Sequence, residues 1–576
     1  MKRVLAAVLA AILPTMSAAA QDITESMLFL AGESDAENLS EEIVEKYEAL
    51  ASRPLRINTA SRQALFSSGL LSAYQVASIL DYRSRSGDIL SAAELSLVDG
   101  FGEETAEALR PFVSFWSPRL PGAVDSEGHV ADGTIMAKTQ WREGGWTYGT
   151  KAKVIIGDAF EAAGAARTVF ADKKAFPPSS YSFHAAAFGR IGTIVIGDFS
   201  ARFGQGLVLW NGFSMSGVSS VSSFARRPSG ISPSWSFSGN SNRGAAVESS
   251  VGHFTLSAFA GLPGLRERME QGKKQPVSLS PGANIAWLTR YGQVSATWTC
   301  LTDTTLTRLE GAKASLDWRF CIKGVDIFGE GAVDFRNGVP AGLAGSIIPL
   351  SDKFRLAVLC RYYSESYDGD GAGGIRSASK TSDEFGAAAG FEFPGFGITA
   401  DWASRLSGGK SQLKIVANGE VAISKTLKTK FRGTYRLKEP GNESRIDIRD
   451  DFCWAQGRLM ANSRVEWVKC VENAWLGYLE GGFKDENNTA WLRFSVFKVD
   501  EWEDRIYVYE RNAPGNFTVP ARYGRGCSLS FYCGRKWSIG RSVLKTWLRA
   551  TRVSYPWNEK KKPGVTGLGF QVQYEF

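Results

Sequence analysis

Two periodicities divide the chain. From about residue 133 onward, apolar side chains recur at every second position. The clearest run is the last, where Leu568, Phe570, Val572, Tyr574 and Phe576 alternate with Gly567, Gly569, Gln571, Gln573 and Glu575. An extended strand with that order has one apolar face and one small or polar face. Ile285, Trp287, Thr289 and Tyr291 alternate in the same way with Asn284, Ala286, Leu288 and Arg290, and Phe354, Leu356, Val358, Cys360 and Tyr362 form a third such face. Before residue 120 the spacing is three to four. Leu39, Ile43, Val44, Tyr47 and Leu50 fall on one side of a helix, Glu41, Glu42, Glu45 and Glu48 on the other, and Pro54 ends it.

The connections sharpen the reading of the second region. Tight links at 189–192, 252–253 and 394–395 alternate with long polar stretches at 158–181, 202–243, 261–282 and 364–383. Short turns at one end and long loops at the other are what an outer-membrane barrel shows. No apolar stretch approaches the roughly 18 residues that a membrane helix needs, so any crossing is made by strands. At roughly 20 residues per strand with its share of turn and loop, residues 131–576 hold about 22 strands, with about 18 to 26 acceptable and an even number required. The predicted fold class is mainly β: a large antiparallel transmembrane β-barrel preceded by a small all-α domain. A barrel that wide has a lumen, which loops and side chains fill or which conducts. An aromatic-rich final strand ending on Phe576 looks like the terminus read by the barrel assembly machinery. Outer-membrane lipid and that machinery are therefore expected partners.

Composition narrows the alternatives. A 576-residue chain with 61 Gly, 20 Pro and a net charge of +8 is neither collagen nor wholly disordered. A mean hydropathy of -0.15 excludes a bundle of membrane helices. Residues 1–20 read as a cleavable secretory signal: Lys2 and Arg3, an apolar run from Val4 to Leu13, then Ala18-Ala19-Ala20 ahead of Gln21, with no lipid-acceptor Cys following. Charge is unevenly spread. Residues 22–118 carry 16 Asp and Glu against 7 Lys and Arg, a net of -9, whereas residues 119–576 carry +15. The expected organisation is a signal peptide at 1–20, an acidic amphipathic helical segment at 21–53, a helical domain at 54–116, a linker at 117–130 and the barrel at 131–576.

Within the helical domain a series of motifs occurs in order. Ile57-Asn58-Thr59-Ala60-Ser61 is followed by Gly69-Leu70-Leu71-Ser72, Tyr82-Arg83, the capping box Ser91-Ala92-Ala93-Glu94 and the hairpin Gly100-Phe101-Gly102. This stretch resembles the tandem helix-hairpin-helix repeat of competence-type DNA receptors. The resemblance implies that Gly69, Gly100, Phe101 and Gly102 shape hairpins whose following helices offer free N–H groups to phosphates, reading backbone and not bases. Glu103 and Glu104 stand where DNA-binding members usually carry basic residues, and a net of -9 gives counterion release little to work with. Two readings stay open. In one, the domain docks an unknown periplasmic protein partner or plugs the pore, serving transport or envelope assembly. In the other, disfavoured by the acidic charge, it makes sequence-independent contacts to nucleic acid in DNA uptake.

Two features of the barrel region stand out. One strand carries Lys428, Lys430, Arg432, Arg436 and Lys438 on a single face. Facing lipid, each cation would cost about 2 to 4 kcal/mol at mid-depth, so the stripe lines water or protein. It is either an anion-attracting wall or half of a cross-strand ladder with Glu443, Arg445, Asp447, Arg449 and Asp451. The second is Gly197-Asp198-Phe199, then Arg202-Phe203-Gly204-Gln205-Gly206-Leu207-Val208-Leu209-Trp210, then Asn211-Gly212-Phe213. With the helical domain in front, it resembles a group of Bacteroidetes outer-membrane proteins that combine a helix-hairpin-helix domain with a barrel, which implies location and architecture but no activity. The Ser- and Gly-rich stretch from Ser214 to Arg243, with Arg226 and Arg227, is either a loop folded into the lumen or a plain exposed loop.

Catalytic constellations are scarce. His129, His184 and His253 show no metal-ligand spacing, and Gly212-Phe213-Ser214-Met215-Ser216 fails the nucleophile-elbow pattern at its last position. Glu501, Glu503 and Asp504 flank or follow Trp502 as solvated loop charge. Of seven cysteines, Cys300 and Cys360 read as small hydrophobes on apolar faces, and Cys527 and Cys533, about 20 Å apart if extended, cannot bridge. The chain reads as non-enzymatic, with no cofactor and no metal.

Overall fold

The computed structural model describes residues 23–33, 36–119, 131–143, 145–157, 159–170, 178–189, 192–212, 217–237, 241–265, 278–303, 306–351, 353–441, 443–559 and 562–576. The expected signal peptide, His129, Phe213 and Ser214 lie outside them. The β region closes on itself with its polar face inward: 24 antiparallel strands, from Asp132–Arg142 to Val565–Glu575, form one barrel. The count is even, as expected, and two strands above the expected 22 or so. The last strand pairs with the first, Phe570 opposite Thr139 and Tyr574 opposite Ile135. Gly133 and Phe576 complete the seam by exchanging backbone hydrogen bonds of 2.8 and 3.0 Å.

Both ends of the wall lie at one rim, and every turn at that rim is two to four residues long, including 252–253, 323–324, 394–395 and 457–458. The long connections, 203–241, 264–279, 364–383 and 500–523, all leave the opposite rim. One expected stretch needs correction. Residues 158–181 are not a single loop, because Phe160–Phe170 is a wall strand. Its Ala- and Gly-rich middle, Ala162 to Ala166, lacks the large apolar side chains that reveal alternation.

Alternation elsewhere sorts the faces as expected. Ile285, Trp287, Leu568 and Phe570 are about half exposed on the outside, whereas Asn284 and Gln571 are buried inside. A closed sheet leaves no unpaired edge, and an exterior of exposed Trp, Phe, Leu and Ile suits hydrocarbon. No helix among the described residues is long and apolar enough to cross a membrane. All seven cysteines are free, with Cys300 buried and Cys360 exposed.

The described residues of the N-terminal part include six short α-helices: α1 (Ile23–Ala31), α2 (Glu41–Ser52), α3 (Arg62–Ser67), α4 (Ala73–Arg85), α5 (Ala92–Ser96) and α6 (Gly102–Leu109). Serines begin four of them. Ser40, Ser61, Ser72 and Ser91 each accept an N–H from three residues on. The reciprocal capping box is completed at Ser72 and Gln75. At Ser91 the Glu94 carboxylate turns instead to the Leu90 N–H and the Tyr82 hydroxyl, each at 2.8 Å. Asn58 explains its own motif: its amide bonds the N–H and carbonyl of Ile89, both at 2.8 Å, and the Phe115 carbonyl at 3.3 Å. It thereby ties the start of the helical unit to its end, where Leu55–Arg56 pairs in parallel with Val113–Ser114. Leu65, Ile79, Ile89, Leu109 and Phe112 fill the core between.

This helical unit sits in the mouth of the barrel at the short-turn rim. Arg62 donates to the carbonyls of Gly252 (2.7 Å) and His253 (3.1 Å), and Arg53 to that of Gly157 (3.4 Å). From the opposite rim, loop 203–241 folds inward. Phe203, Leu207, Val221 and Phe224 join Phe328, Leu343, Leu359 and Tyr363 of the wall in a hydrophobic core inside the lumen. The exposed-loop alternative for this segment is therefore excluded for its described residues.

Candidate functional site

The site is the interior of the barrel, where three things meet: the wall, the helical unit and the inward loops. The glutamates of the N-terminal helices carry the contact. At the start of α1, Glu25 pairs with Lys428 and, at 2.7 Å, with Lys430. Glu37 reaches mid-wall, 2.6 Å from Arg464 and 3.5 Å from Arg449, and accepts the Tyr509 N–H of loop 500–523 at 3.0 Å. On α2, Glu41 lies 3.9 Å from Lys138, Glu42 pairs with Arg202 and Glu45 with Lys151. Glu48 accepts the Gly515 N–H at 3.0 Å.

Loop 203–241 seals the same contact from above. The Arg227 guanidinium donates to the carbonyls of Leu30 and Leu70, both at 3.2 Å, and the Ser220 hydroxyl to that of Gly32 at 2.7 Å. These carbonyls are among those a helix or hairpin end leaves without an internal partner, and a cation there also suits the helix dipole.

Burial tunes the titratable groups on the helices. Glu48 is pushed up to about 7 by burial, against the Gly515 N–H. Burial and the neighbouring Arg202 bring Lys46 down to about 7. Burial also raises Glu45, while for Glu25 burial is outweighed by Lys430 and Lys428, and the carboxyl stays below its ordinary value.

The sequence-derived candidates separate on this frame. In the first hairpin, Gly69 (φ +59°) is closed in, since a β-carbon there would meet Ser229 at 3.3 Å as well as the Lys46 side chain. In the second, Gly100 (φ +84°) packs on the Tyr74 ring, Phe101 is buried, and Gly102 (φ +69°) faces open space. Glu103 is exposed beside it, and Glu104 lies 3.9 Å from Arg355.

The basic stripe does face inward, but the expected regular ladder does not form. Lys430 stands opposite Asp451 and Lys438 opposite Glu443, yet Arg432 faces Arg449 and Arg436 faces Arg445. Lys428 and Lys430 draw on Glu420 of the other neighbouring strand and on Glu25. Of the three plug-loop arginines, Arg226 and Arg227 are in the lumen loop, Arg226 with its guanidinium 5.5 Å from the Trp210 ring. Arg243 is instead a wall residue on strand Asn242–Val251, paired with Asp198 at 2.9 Å.

The motif around Gly197 to Trp210 is the anchor of that loop. Gly197 (φ +104°) runs too close to the Phe183 carbonyl for any side chain. Asn211 accepts the Ala201 N–H at 2.9 Å, and wall residue Glu330 accepts those of Gln205 (2.6 Å) and Leu207 (3.0 Å). The solvated reading of the 501–504 charges fails for Asp504, which is fully buried. His184 is a packing residue between Glu161 (2.9 Å) and the Ser234 carbonyl (3.2 Å). Helical spacing identified the polar face of α2 but not what it meets. The opposite net charges of the two regions were the available signal for Glu25, Glu37, Glu41, Glu42 and Glu45.

These features define a class: a closed transmembrane-type β-barrel whose lumen is filled by its own N-terminal helices and inward loops. No family model matches the chain, and no curated protein matches it in sequence. Its fold is similar to solved structures such as Pseudomonas aeruginosa OccK3 (OpdO), at 8% identity and a TM-score of 0.30 over 77% of this chain and 95% of that one. Pseudomonas aeruginosa OccK5 (OpdH) gives 8% and 0.29 over 77% and 97%, and Acinetobacter baumannii OccAB3 gives 10% and 0.28 over 77% and 99%. Superpositions this loose transfer no chemistry.

Proposed function

We propose that this protein is a non-enzymatic outer-membrane transport barrel that its N-terminal helices hold closed from the periplasmic side. The observation that carries the reading is the insertion of helix carboxylates onto mid-wall cations, with Glu37 on Arg464 and Glu45 on Lys151. A barrel this wide conducts unless filled, and the helical part of the filling is held to the wall mainly by charge and hydrogen bonds, which an energised partner or a substrate is able to exchange. The short-turn rim supports placing the helices in the periplasm. The nucleic-acid reading gains nothing from the geometry, since the first hairpin lies under the lumen loop and acidic side chains border the second.

Planar-bilayer recording tests the proposal. The full chain should be silent or flicker at low conductance, and Glu37→Arg combined with Glu45→Arg should produce large, sustained openings. A wild-type pore that conducts continuously, with no change in the variant, would remove closure from the function of the helices.

A further inference from the structure

The closure contacts are asymmetric in a way that bears on what passes through the opened lumen, an argument that rests on the closure reading above. Arg449 and Arg464 retain a wall carboxylate, Asp451, at 3.0 and 2.6 Å, when Glu37 is disregarded. Lys138, Lys151 and Arg202 are different. Among the described residues, the ion pairs they make go to Glu41, Glu45 and Glu42 of α2 and to no wall group. All three are largely buried, and Phe237 of the inward loop lies 3.9 Å from the Lys138 ammonium and 4.2 Å from that of Lys151. Withdrawing α2 strips three cations at one side of the lumen of their counter-charge, in a site with aromatic walls. Buried charge left unpaired is strongly unfavourable, so the site favours an anionic replacement.

We propose that Lys138, Lys151 and Arg202 form a binding site for multivalent oxyanions in the opened lumen, and that Glu41, Glu42 and Glu45 occupy it as a tethered substitute. The ligand class follows from the substitute. Three carboxylates within five residues of helix, Glu45 at i+4 from Glu41 and at i+3 from Glu42, root neighbouring negative groups on β-carbons roughly 5 to 6 Å apart. A compact molecule bearing two or three carboxylate or phosphate groups matches that spacing, and a monovalent anion does not. Binding of such a molecule competes with α2, so the ligand itself favours opening.

The test uses the full chain carrying Glu41→Gln, Glu42→Gln and Glu45→Gln in a planar bilayer. Under a tenfold KCl gradient the reversal potential should take the sign for chloride. Inorganic tripolyphosphate and citrate, applied separately to tell phosphate from carboxylate ligands, should block at concentrations at least tenfold below acetate. Adding Lys138→Gln and Lys151→Gln should raise the blocking concentration at least tenfold. An open pore that prefers potassium, or a block indifferent to the two lysines, overturns the site while leaving closure intact. If no variant opens, it is the closure reading that fails, and the site is then read in the unmodified protein. There, tripolyphosphate should speed amide exchange across α2 where acetate at equal ionic strength does not, and no difference overturns the site as well.

Discussion

Asp504 shows how much a single side chain organises at the long-loop rim. Its carboxylate accepts the N–H groups of Cys470 (2.6 Å), Val471 (3.0 Å) and Glu472 (2.8 Å), the whole of a turn between two wall strands, from a position with no solvent access. Charge-assisted bonds of this kind are the stronger class, and orphaned backbone donors cost about 1 to 3 kcal/mol each. Asp504→Ala should therefore free loop 500–523 from the rim, and protease cleavage within that loop should rise at least tenfold while the barrel stays heat-resistant. Cleavage at the wild-type rate would show that Ile506 and Val508, buried against Val468 and Leu476, hold the loop unaided. In sequence Asp504 was one of three neighbouring acids, and nothing in its local pattern marked it apart. Outward-facing residues were legible because lipid imposes one rule on every strand, whereas an inward polar residue answers to whichever partner the chain brings to it.

At the scale of elements, α2 was visible from its spacing, its serine cap and the proline after it, and its destination was not. Its docking carries a pH dependence with two limbs. Released, Glu48 titrates at its ordinary 4.5; docked, it holds its proton to about 7. The docked state then binds the extra proton between those values, so docking weakens as pH rises from 4.5 to 7 and is unaffected by this group above that. The full span corresponds to about 3 kcal/mol. Lys46 acts in the opposite sense, since the released side chain keeps its proton to 10.5 and the docked one only to about 7, so docking strengthens as pH rises from 7 upward. Glu25, held below 4.5 by Lys430 and Lys428, contributes only beneath this window. Amide exchange across α2, corrected for intrinsic rates, should show its weakest protection near pH 7. Glu48→Gln should shrink the acid limb to the part that Glu45, also raised by burial, contributes, and Lys46→Met should flatten the alkaline one. A profile that both substitutions leave unchanged would place the pH response in Glu45 or the wall instead.

For the whole molecule, alternation and loop lengths gave a large, even-stranded barrel, and the shortfall in strand number comes from the allowance of roughly 20 residues per strand, which the two- to four-residue turns of one rim undercut. At the seam of the closed wall lies Phe576. Phe576 exchanges both of its backbone hydrogen bonds with Gly133, its ring lies over that glycine where a β-carbon would collide, and it stacks on Tyr574 at 5.8 Å. Phe576 seals the first strand to the last, and we propose that the same apolar residue is also read by the assembly machinery. Deleting Phe576 should lower the fraction of protein that migrates as a folded, heat-modifiable species. Gly133→Leu separates the roles, because it displaces the ring from its seat while keeping the terminal residue. If the seam dominates, both variants should lose folded protein to a similar degree, in cells and on refolding into detergent micelles alike. If recognition dominates, the deletion should fail in cells and refold nearly normally in micelles, with Gly133→Leu nearly normal in both. Normal heat-modifiable migration of the deletion in cells would remove both roles, leaving the other strand pairs of the seam, from Thr134–Glu575 to Arg142–Gly567, as the whole of the closure.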